Sequence, residues 1–191
     1  MNAYAMPPLA APAPTRERIL AAARSLLRTH GYAGFTMEGV ASECALTRRT
    51  LYNRFADRDA LYRASRVALL EAFESGLPRE IDAAGDPRET IEAFVTRALD
   101  ALTHPAHVEL ARSASLDRAG FPWIAQLHDD RVRLPLCAAV ERYLAARALP
   151  SGGGEVLVAM LFAALGGASR TPVFTPAELT AIFLDRLGAR R

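Results

Sequence analysis

The sequence predicts an all-α protein, and three features support that prediction. Apolar residues recur in successive segments at the three- and four-residue spacing of a buried helix face. Threonine or aspartate precedes several of these segments, as N-caps do, and glycine or proline follows where a helix would end. About half of the 191 residues are apolar (51%), which is enough for a helical core in one or two domains.

The first predicted helix runs from Thr15 to His30, after an arm of residues 1–14 that we expect to be disordered. The arm lacks the charged start and the long apolar run of a signal peptide or a membrane anchor. Thr15 suits the N-cap of the helix, Glu17 lies in its first turn, and Gly31 marks its end. Its buried stripe is expected to consist of Ile19, Ala23, Leu26 and Leu27.

Two short helical patterns follow between Thr36 and Phe55, with only a few residues between them. Thr36 suits the N-cap of the first pattern. The apolar face of that pattern carries Met37, Val40, Ala41 and Cys44. In the second pattern Leu51 and Phe55 point inward, whereas Arg49 and Asn53 point the opposite way. Two short helices joined by a tight turn predict a helix-turn-helix, whose second helix fits the DNA major groove.

The outward face of this second helix lacks the mixture of Glu and Lys that is typical of a solvated surface. It presents Arg48, Arg49, Thr50, Tyr52, Asn53, Arg54 and Arg58. Residues 1–60 hold 8 Arg against 5 acidic residues, whereas residues 61–191 hold 15 Arg against 16 acidic residues. A solvated helix face is the alternative, but a basic end on a nearly neutral chain favours DNA binding.

Residues 15–65 resemble the N-terminal DNA-binding domain of the TetR family of bacterial transcriptional regulators. The resemblance rests on Gly31-Tyr32, Phe35-Thr36-Met37, Val40-Ala41, Thr47-Arg48-Arg49-Thr50-Leu51-Tyr52, Phe55 and Arg58-Asp59-Ala60-Leu61. The sequence departs from the family at the turn, where Gly is usual and Ala45 stands here. Either this turn is right-handed, or the rest of the domain absorbs the roughly 1 kcal/mol that a left-handed Ala costs relative to Gly.

These observations predict a DNA-binding domain over residues 15–60 and two kinds of DNA contact. Base edges are expected to be contacted by Arg48, Arg49, Thr50 and Tyr52, since arginine to guanine is the commonest specific contact. The DNA backbone is expected to be contacted by Thr36, Thr47, Asn53 and Arg58. A long helix then begins at Asp57 and extends to about Leu77. The resemblance implies that this helix links the DNA-binding domain to a ligand domain.

Residues 61–191 predict a second helical domain, for ligand binding and dimerisation. Helices are expected over 87–102 and 105–118, and a longer one over 123–149 that is kinked at Pro135. Residues 107–124 resemble the ligand domain of the AefR-like subgroup of the TetR family.

An apolar pocket is expected among these helices, for an apolar or aromatic effector. Its candidate walls are Phe94, Leu99, Leu102, Trp123, Leu127, Phe162 and Leu165. Arg112 would pair with an acidic group on the effector if its side chain faced inward. The alternative for each wall residue is plain core, and for Arg112 it is an outward salt bridge.

The last two predicted helices indicate a homodimer. Residues 155–168 are apolar nearly all round, and this helix is shorter than the roughly 20 residues needed to cross a bilayer. Thr175-Pro176-Ala177-Glu178 then combines a capping box with Pro at the first helical position. We expect the two helices to pair with a second subunit through Val156, Met160, Leu179, Ile182 and Phe183.

The sequence contains few residue patterns that would indicate catalysis or metal binding. It has no Gly-rich phosphate loop, nucleophile elbow or recognised carboxylate pair, and no cofactor or metal is expected. His104, His107 and His128 are expected to be solvated or to lie at helix ends. The two isolated cysteines fit a reducing cytoplasm.

The sequence therefore predicts a cytoplasmic, dimeric, effector-released repressor that binds a pseudo-palindromic operator in double-stranded DNA, and neither an enzyme nor a membrane protein. The alternatives are an activator of the same fold and a helical protein-interaction domain with degenerate DNA binding.

Overall fold

The computed structural model describes residues 15–116, 119–165 and 172–188, and every regular element within those ranges is helical. The arm predicted for residues 1–14 lies outside the described residues. The elements are α1 (Thr15–His30), α2 (Met37–Glu43), α3 (Arg48–Tyr52), α4 (Arg58–Glu74), α5 (Pro87–Leu102), α6 (Pro105–Leu116), α7 (Pro122–His128), a π segment (Asp129–Arg133), α8 (Leu134–Ala146), α9 (Gly153–Ala164) and α10 (Pro176–Arg186). The prediction of an all-α protein is confirmed.

These helices form two compact units, which divide within α4 between Ala68 and Leu69. The first unit contains α1 to α3 and the larger part of α4, and the second contains the remaining helices. The domain limit expected after residue 60 falls nearer the start of the same helix. The functional domain limits therefore stay a prediction.

The core of the first unit is built from one face of each of its helices. Ile19 of α1, Val40 of α2, Leu51 of α3 and Leu61 of α4 are all completely buried. Of the stripe predicted on α1, Ile19, Ala23 and Leu27 are buried, whereas Leu26 is only half-buried. This packing holds the short helices α2 and α3, which are too short to be stable alone.

Within the second unit, α8 packs against α9 and α10 packs against α5. Two glycines at the start of α9 allow the close approach to α8. A Cβ atom on Gly153 would lie 2.6 Å from Leu144 Cδ1, and one on Gly154 would lie 2.6 Å from the carbonyl oxygen of Cys137. The Glu141 carboxylate of α8 accepts the backbone N–H of Gly154 at 2.6 Å and so caps the N-terminus of α9.

The helix expected to run unbroken over 123–149 is instead divided by the π segment. The backbone N–H of Leu134 donates to the carbonyl of Asp129, which is the five-residue spacing of a π-helix. Pro135 has no N–H to give to the carbonyl of Arg131, and that carbonyl accepts from the Arg79 guanidinium at 3.5 Å. The interruption is thus associated with Pro135, as predicted, but it precedes the proline.

Candidate nucleic-acid interface

The two helices of the helix-turn-helix each begin at a threonine that caps them. The Thr36 hydroxyl accepts the backbone N–H of Gly39 at 3.0 Å, and the Thr47 hydroxyl accepts that of Thr50 at 3.1 Å. Each cap satisfies a backbone donor that the first turn of a helix leaves without an intrahelical partner. Thr36 and Thr47 are exposed, so they also lie where the sequence placed DNA-backbone contacts.

The turn between α2 and α3 is left-handed at Ala45, where φ is 50°. The turn is therefore not right-handed, and the rest of the domain absorbs the cost of a left-handed alanine. The neighbouring backbone is tied down on both sides: the N–H of Leu46 donates to the carbonyl of Ala41 at 2.9 Å, and the Arg18 guanidinium donates to the carbonyl of Cys44 at 2.9 Å. These bonds hold the turn and connect it to α1.

Helix α3 separates an inner apolar side from an outer basic and polar side, as the helical wheel predicted. Leu51 is completely buried, and Phe55, just beyond the helix, is 8% exposed. The exposed side chains are those of Arg48, Arg49, Tyr52, Asn53 and Arg54, whereas Thr50 is half-buried. The Thr50 hydroxyl lies 2.9 Å from that of Thr47, so it has a protein partner in the absence of DNA.

Arg48 forms the one ion pair recorded for an α3 side chain in the described part of the chain. Its guanidinium lies 3.5 Å from the carboxylate of Glu38, and both side chains are well exposed. An exposed pair of this kind contributes at most about 1 kcal/mol and is screened by salt. The pair therefore leaves Arg48 able to exchange Glu38 for a phosphate or a base edge.

Arg58, at the start of α4, is held by two neighbours in the same unit. Its guanidinium carbon lies 4.3 Å from the centre of the Tyr32 ring, a cation–π contact, and its Nε lies 4.0 Å from the Asp59 carboxylate. The Tyr32 hydroxyl donates to Asp59. Burial and this hydrogen bond raise the pKa of Tyr32 above its ordinary value. Arg58 is thus oriented before any DNA is bound.

The predicted pocket residues are distributed between the core and the margin of the second unit. Phe94, Leu99 and Leu102 of α5 are buried. Partial exposure remains at Trp123, Leu127, Phe162 and Leu165. The Arg112 side chain is exposed rather than turned inward, so it does not serve as a buried partner for an acidic effector.

A contact between two histidines of the second unit was not predicted: His107 and His128 were expected to be solvated or to lie at helix ends, and His128 does end α7 but is half-buried. His107 is 3% exposed, and its Nε2 lies 3.0 Å from Nε2 of His128. The Phe162 ring lies 5.5 Å from the His128 ring, so one predicted pocket wall does border the pair. Burial, and secondly the neighbouring His128, lower the pKa of His107 to about 4. Burial also lowers the pKa of His128.

Two of the five residues predicted at the dimer interface belong to the core of the single chain. Leu179 is 2% exposed and Phe183 is completely buried within the protomer, in a unit where α10 packs against α5. Neither side chain has surface to offer a second subunit. Ile182 is 48% exposed, and Val156 and Met160 are half-buried, so these three retain surface for that role.

The described ranges also bear on metal binding and on membrane insertion. No three or more His, Cys, Asp and Glu side chains there are grouped so that they could hold a metal ion. Among the helices of the same ranges, none combines the length and the apolar character needed to span a membrane.

Comparison with known proteins relates part of the first unit to a family. Residues 19–65 match the sequence model described as bacterial regulatory proteins of the tetR family. Over 98 residues the chain is 33% identical to the HTH-type transcriptional regulator UidR of Escherichia coli K12. This match covers 49% of the chain and 45% of UidR, so the chain spans about half the length of the curated relatives it matches.

Solved structures resemble the chain over most of its length. The Flavonoid-responsive Regulator FrrA aligns with a TM-score of 0.68 and 22% identity, covering 90% of this chain and 95% of FrrA. GusR of Salmonella enterica aligns with a TM-score of 0.68 and 20% identity, covering 94% of this chain and 98% of GusR. At these identities the likeness is one of fold, and the family assignment rests on the first unit. The matched family consists of regulators rather than enzymes, as the sequence predicted, and residues 19–65 of this chain match the TetR family of bacterial regulatory proteins.

Proposed function

We propose that the protein is a cytoplasmic, homodimeric transcriptional repressor that leaves its operator when a small apolar or aromatic effector binds. The observation that carries the DNA-binding part is the outer side of α3, which presents exposed Arg48, Arg49 and Tyr52 on a helix capped and buried along its other side. Two such helices, one from each subunit, would read the two halves of a pseudo-palindromic operator.

The contacts divide between specificity and positioning. Arg48, Arg49, Thr50 and Tyr52 would contact base edges, and a bidentate arginine-to-guanine contact is worth about 1–3 kcal/mol of discrimination. Thr36, Thr47, Asn53 and Arg58 would contact the sugar-phosphate backbone and fix the register of the protein on the duplex. The cation–π contact with Tyr32 supports this role for Arg58, because it limits the conformations that the side chain loses on binding.

The effector would act by shifting a population of conformations. α4 contributes residues to both units, and through this shared helix we expect a change in the second unit to affect the first. An effector that binds better to the conformer with mismatched helix spacing would release the operator. The name of FrrA describes a response to flavonoids, which are aromatic compounds, and this agrees with an aromatic effector for the present chain.

The assay of DNA binding starts from sites selected out of randomised duplex DNA by the full-length protein. We expect an inverted repeat to be enriched, and fluorescence anisotropy at physiological salt to give a specificity ratio above roughly 10³ over scrambled DNA. Equal and steeply salt-dependent binding to both DNAs would mean phosphate attraction alone. That result would favour the alternative of an interaction domain with degenerate DNA binding.

Arg49→Ala provides the sharpest test of base reading. We expect the selected site to lose its preference at one position in each half-site, with a loss of about 1–3 kcal/mol against the original base. Arg97→Ala, at an exposed arginine of α5 in the second unit, is the matched control and should leave the preference unchanged. Uniformly weaker binding of Arg49→Ala with the same preference would assign Arg49 to the phosphates instead.

A further inference from the structure

We propose that His107 and His128 form the polar anchor of a binding site for an aromatic hydroxyl compound, a phenol in the broad sense. This inference rests on the proposed function, because it names the chemical class of the effector. The two rings come from α6 and from the last residue of α7, and they lie in the second unit.

The hydrogen bonds of the pair fix where its protons lie. Nδ1 of His107 lies 2.6 Å from the carbonyl oxygen of Leu102, the last residue of α5. A carbonyl only accepts, so Nδ1 of His107 carries the proton and its Nε2 presents a lone pair when the ring is neutral. Nε2 of His128, at 3.0 Å, must then be the donor. Nε2 of His107 is therefore the acceptor of the pair, and the Nε2–H of His128 is its donor.

A hydroxyl group is the ligand group that matches this arrangement. It donates one hydrogen bond and accepts others, so an O–H placed between the rings would give its proton to Nε2 of His107 and accept the N–H of His128. The one hydrogen bond between the rings is then replaced by two hydrogen bonds to the ligand. A carboxylate can only accept and an ammonium can only donate, so either ion would leave one of the two nitrogens without a partner.

The neighbouring side chains favour an aromatic carrier for that hydroxyl. The Phe73 ring lies edge-on to His107 with the ring centres 5.1 Å apart. The Phe162 ring lies 6.3 Å from His107 and 5.5 Å from His128. Aromatic rings at these separations pack with one another in edge-to-face and offset arrangements, and a flat ligand ring would join the same packing.

The backbone next to His128 is irregular. His128 immediately precedes the π segment, and π turns, which occur mostly as single-turn insertions in α-helices, are frequent at functional sites. A core that served packing alone would gain more from an apolar residue than from His107, because burying a polar ring costs free energy even where it is hydrogen-bonded. The irregular turn also supplies backbone that can adjust when the rings separate.

The experiment compares two probes that differ in the hydroxyl proton, 2-naphthol and its methyl ether, 2-methoxynaphthalene. Each is titrated into the full-length protein without DNA, by calorimetry and by NMR of ¹⁵N-labelled histidine side chains. We expect 2-naphthol to bind at least about tenfold more tightly, and the ring nitrogens of His107 and His128 to shift on binding. Equal affinity, no binding at millimolar concentration, or shifts confined to the exposed His30 and His104 would overturn the proposal.

His128→Phe is the test variant, since it keeps a ring and removes the donor, and His30→Phe at an exposed position of α1 is its control. The tenfold preference should disappear in the first and persist in the second. The comparison of the two probes on the unmodified protein needs no variant, so it decides the question even if His128→Phe does not fold. No DNA is present, so a failure here leaves the DNA-binding proposal intact, and a failed DNA selection leaves this result intact.

Discussion

At the scale of single residues, the helix-turn-helix depends on a backbone conformation that its sequence does not favour. Ala45 adopts a left-handed φ of 50°, which places its Cβ close to backbone oxygen. The hydrogen bonds of Leu46 and Arg18 on either side hold the turn there, so favourable contacts elsewhere offset the cost. At a position strained in this way, replacing alanine by glycine removes the Cβ and improves stability.

Ala45→Gly should therefore raise the free energy of unfolding by about 0.5–1 kcal/mol, because glycine adopts this φ without steric cost. Urea denaturation followed by circular dichroism measures the change. Ala21→Gly is the matched control, at an exposed position within α1, and should lower the same quantity by about 0.5–1 kcal/mol. A loss of stability in both variants would show that the turn does not favour glycine.

The sequence predicted the outer side of α3 but not the histidine pair, for a physical reason. The direction of Arg49 or Tyr52 follows from the helical period and the burial of Leu51, which are local properties. His107 and His128 meet only because α6 and α7 pack together, and no spacing between the two residues encodes that packing. Leu179 and Phe183 failed as interface residues for the same reason, since their stripe faces the core of their own chain.

At the scale of helices, the sequence predicts where a helix starts and ends more accurately than it predicts irregular turns inside a helix. The bounds predicted for α1 and α5 agree with the structure, although Thr15, predicted as the N-cap of α1, is its first helical residue; α5 begins with the Asp86 cap and Pro87. The segment from α7 to α8 was predicted as one kinked helix. A π segment changes the hydrogen-bond spacing over one turn only, so the spacing of apolar residues in the sequence changes too little to predict it.

The contact between α8 and α9 provides a prediction at this scale. Gly154→Ala would place a Cβ atom 2.6 Å from the backbone oxygen of Cys137, which cannot move as freely as a side chain. We expect the free energy of unfolding to fall by about 1–3 kcal/mol, as overpacking costs. Ala159→Ser, at an exposed position of α9, should change it by less than about 0.5 kcal/mol. Denaturant titrations of both variants compare the two, and equal effects would show that α8 and α9 tolerate separation.

At the scale of the whole molecule, the histidine pair makes stability depend on pH. The folded-state pKa of His107, about 4, is below its ordinary value of 6.5, so the unfolded chain binds a proton that the folded chain excludes. Stability is therefore fully present above pH 6.5 and is lost as pH falls towards 4. The lowered pKa of His128, which Asp129 raises and Arg133 lowers in part, acts in the same direction.

His107→Gln should flatten this dependence. Between pH 7 and pH 5 the native protein should lose about 2 kcal/mol more than the variant, from the proton that His107 would otherwise take up. Urea unfolding at the two pH values measures the difference, with His30→Gln at an exposed position as the control. Parallel losses in the native protein and His107→Gln would contradict the burial of a neutral His107.

The proposed homodimer also belongs to the scale of the whole molecule, and α10 has an exposed apolar side chain that suits it. Ile182 is 48% exposed, although Leu179 and Phe183 on the same helix are buried, so one side of α10 packs inward and another remains apolar and open. Val156 and Met160 of α9 are half-buried. An apolar side chain at this position fits a subunit interface better than contact with water.

Ile182→Asp should convert the dimer to a monomer, because a carboxylate in the interface would lose its hydration without gaining a partner. Light scattering after size-exclusion chromatography measures the mass. Leu116→Asp is the control, since Leu116 on α6 is 72% exposed and lies outside the predicted interface. The Ile182 variant should also lose affinity for the complete inverted repeat while keeping its affinity for an isolated half-site, because a monomer carries one recognition helix. A dimeric Ile182→Asp with unchanged operator binding would move the interface away from α10.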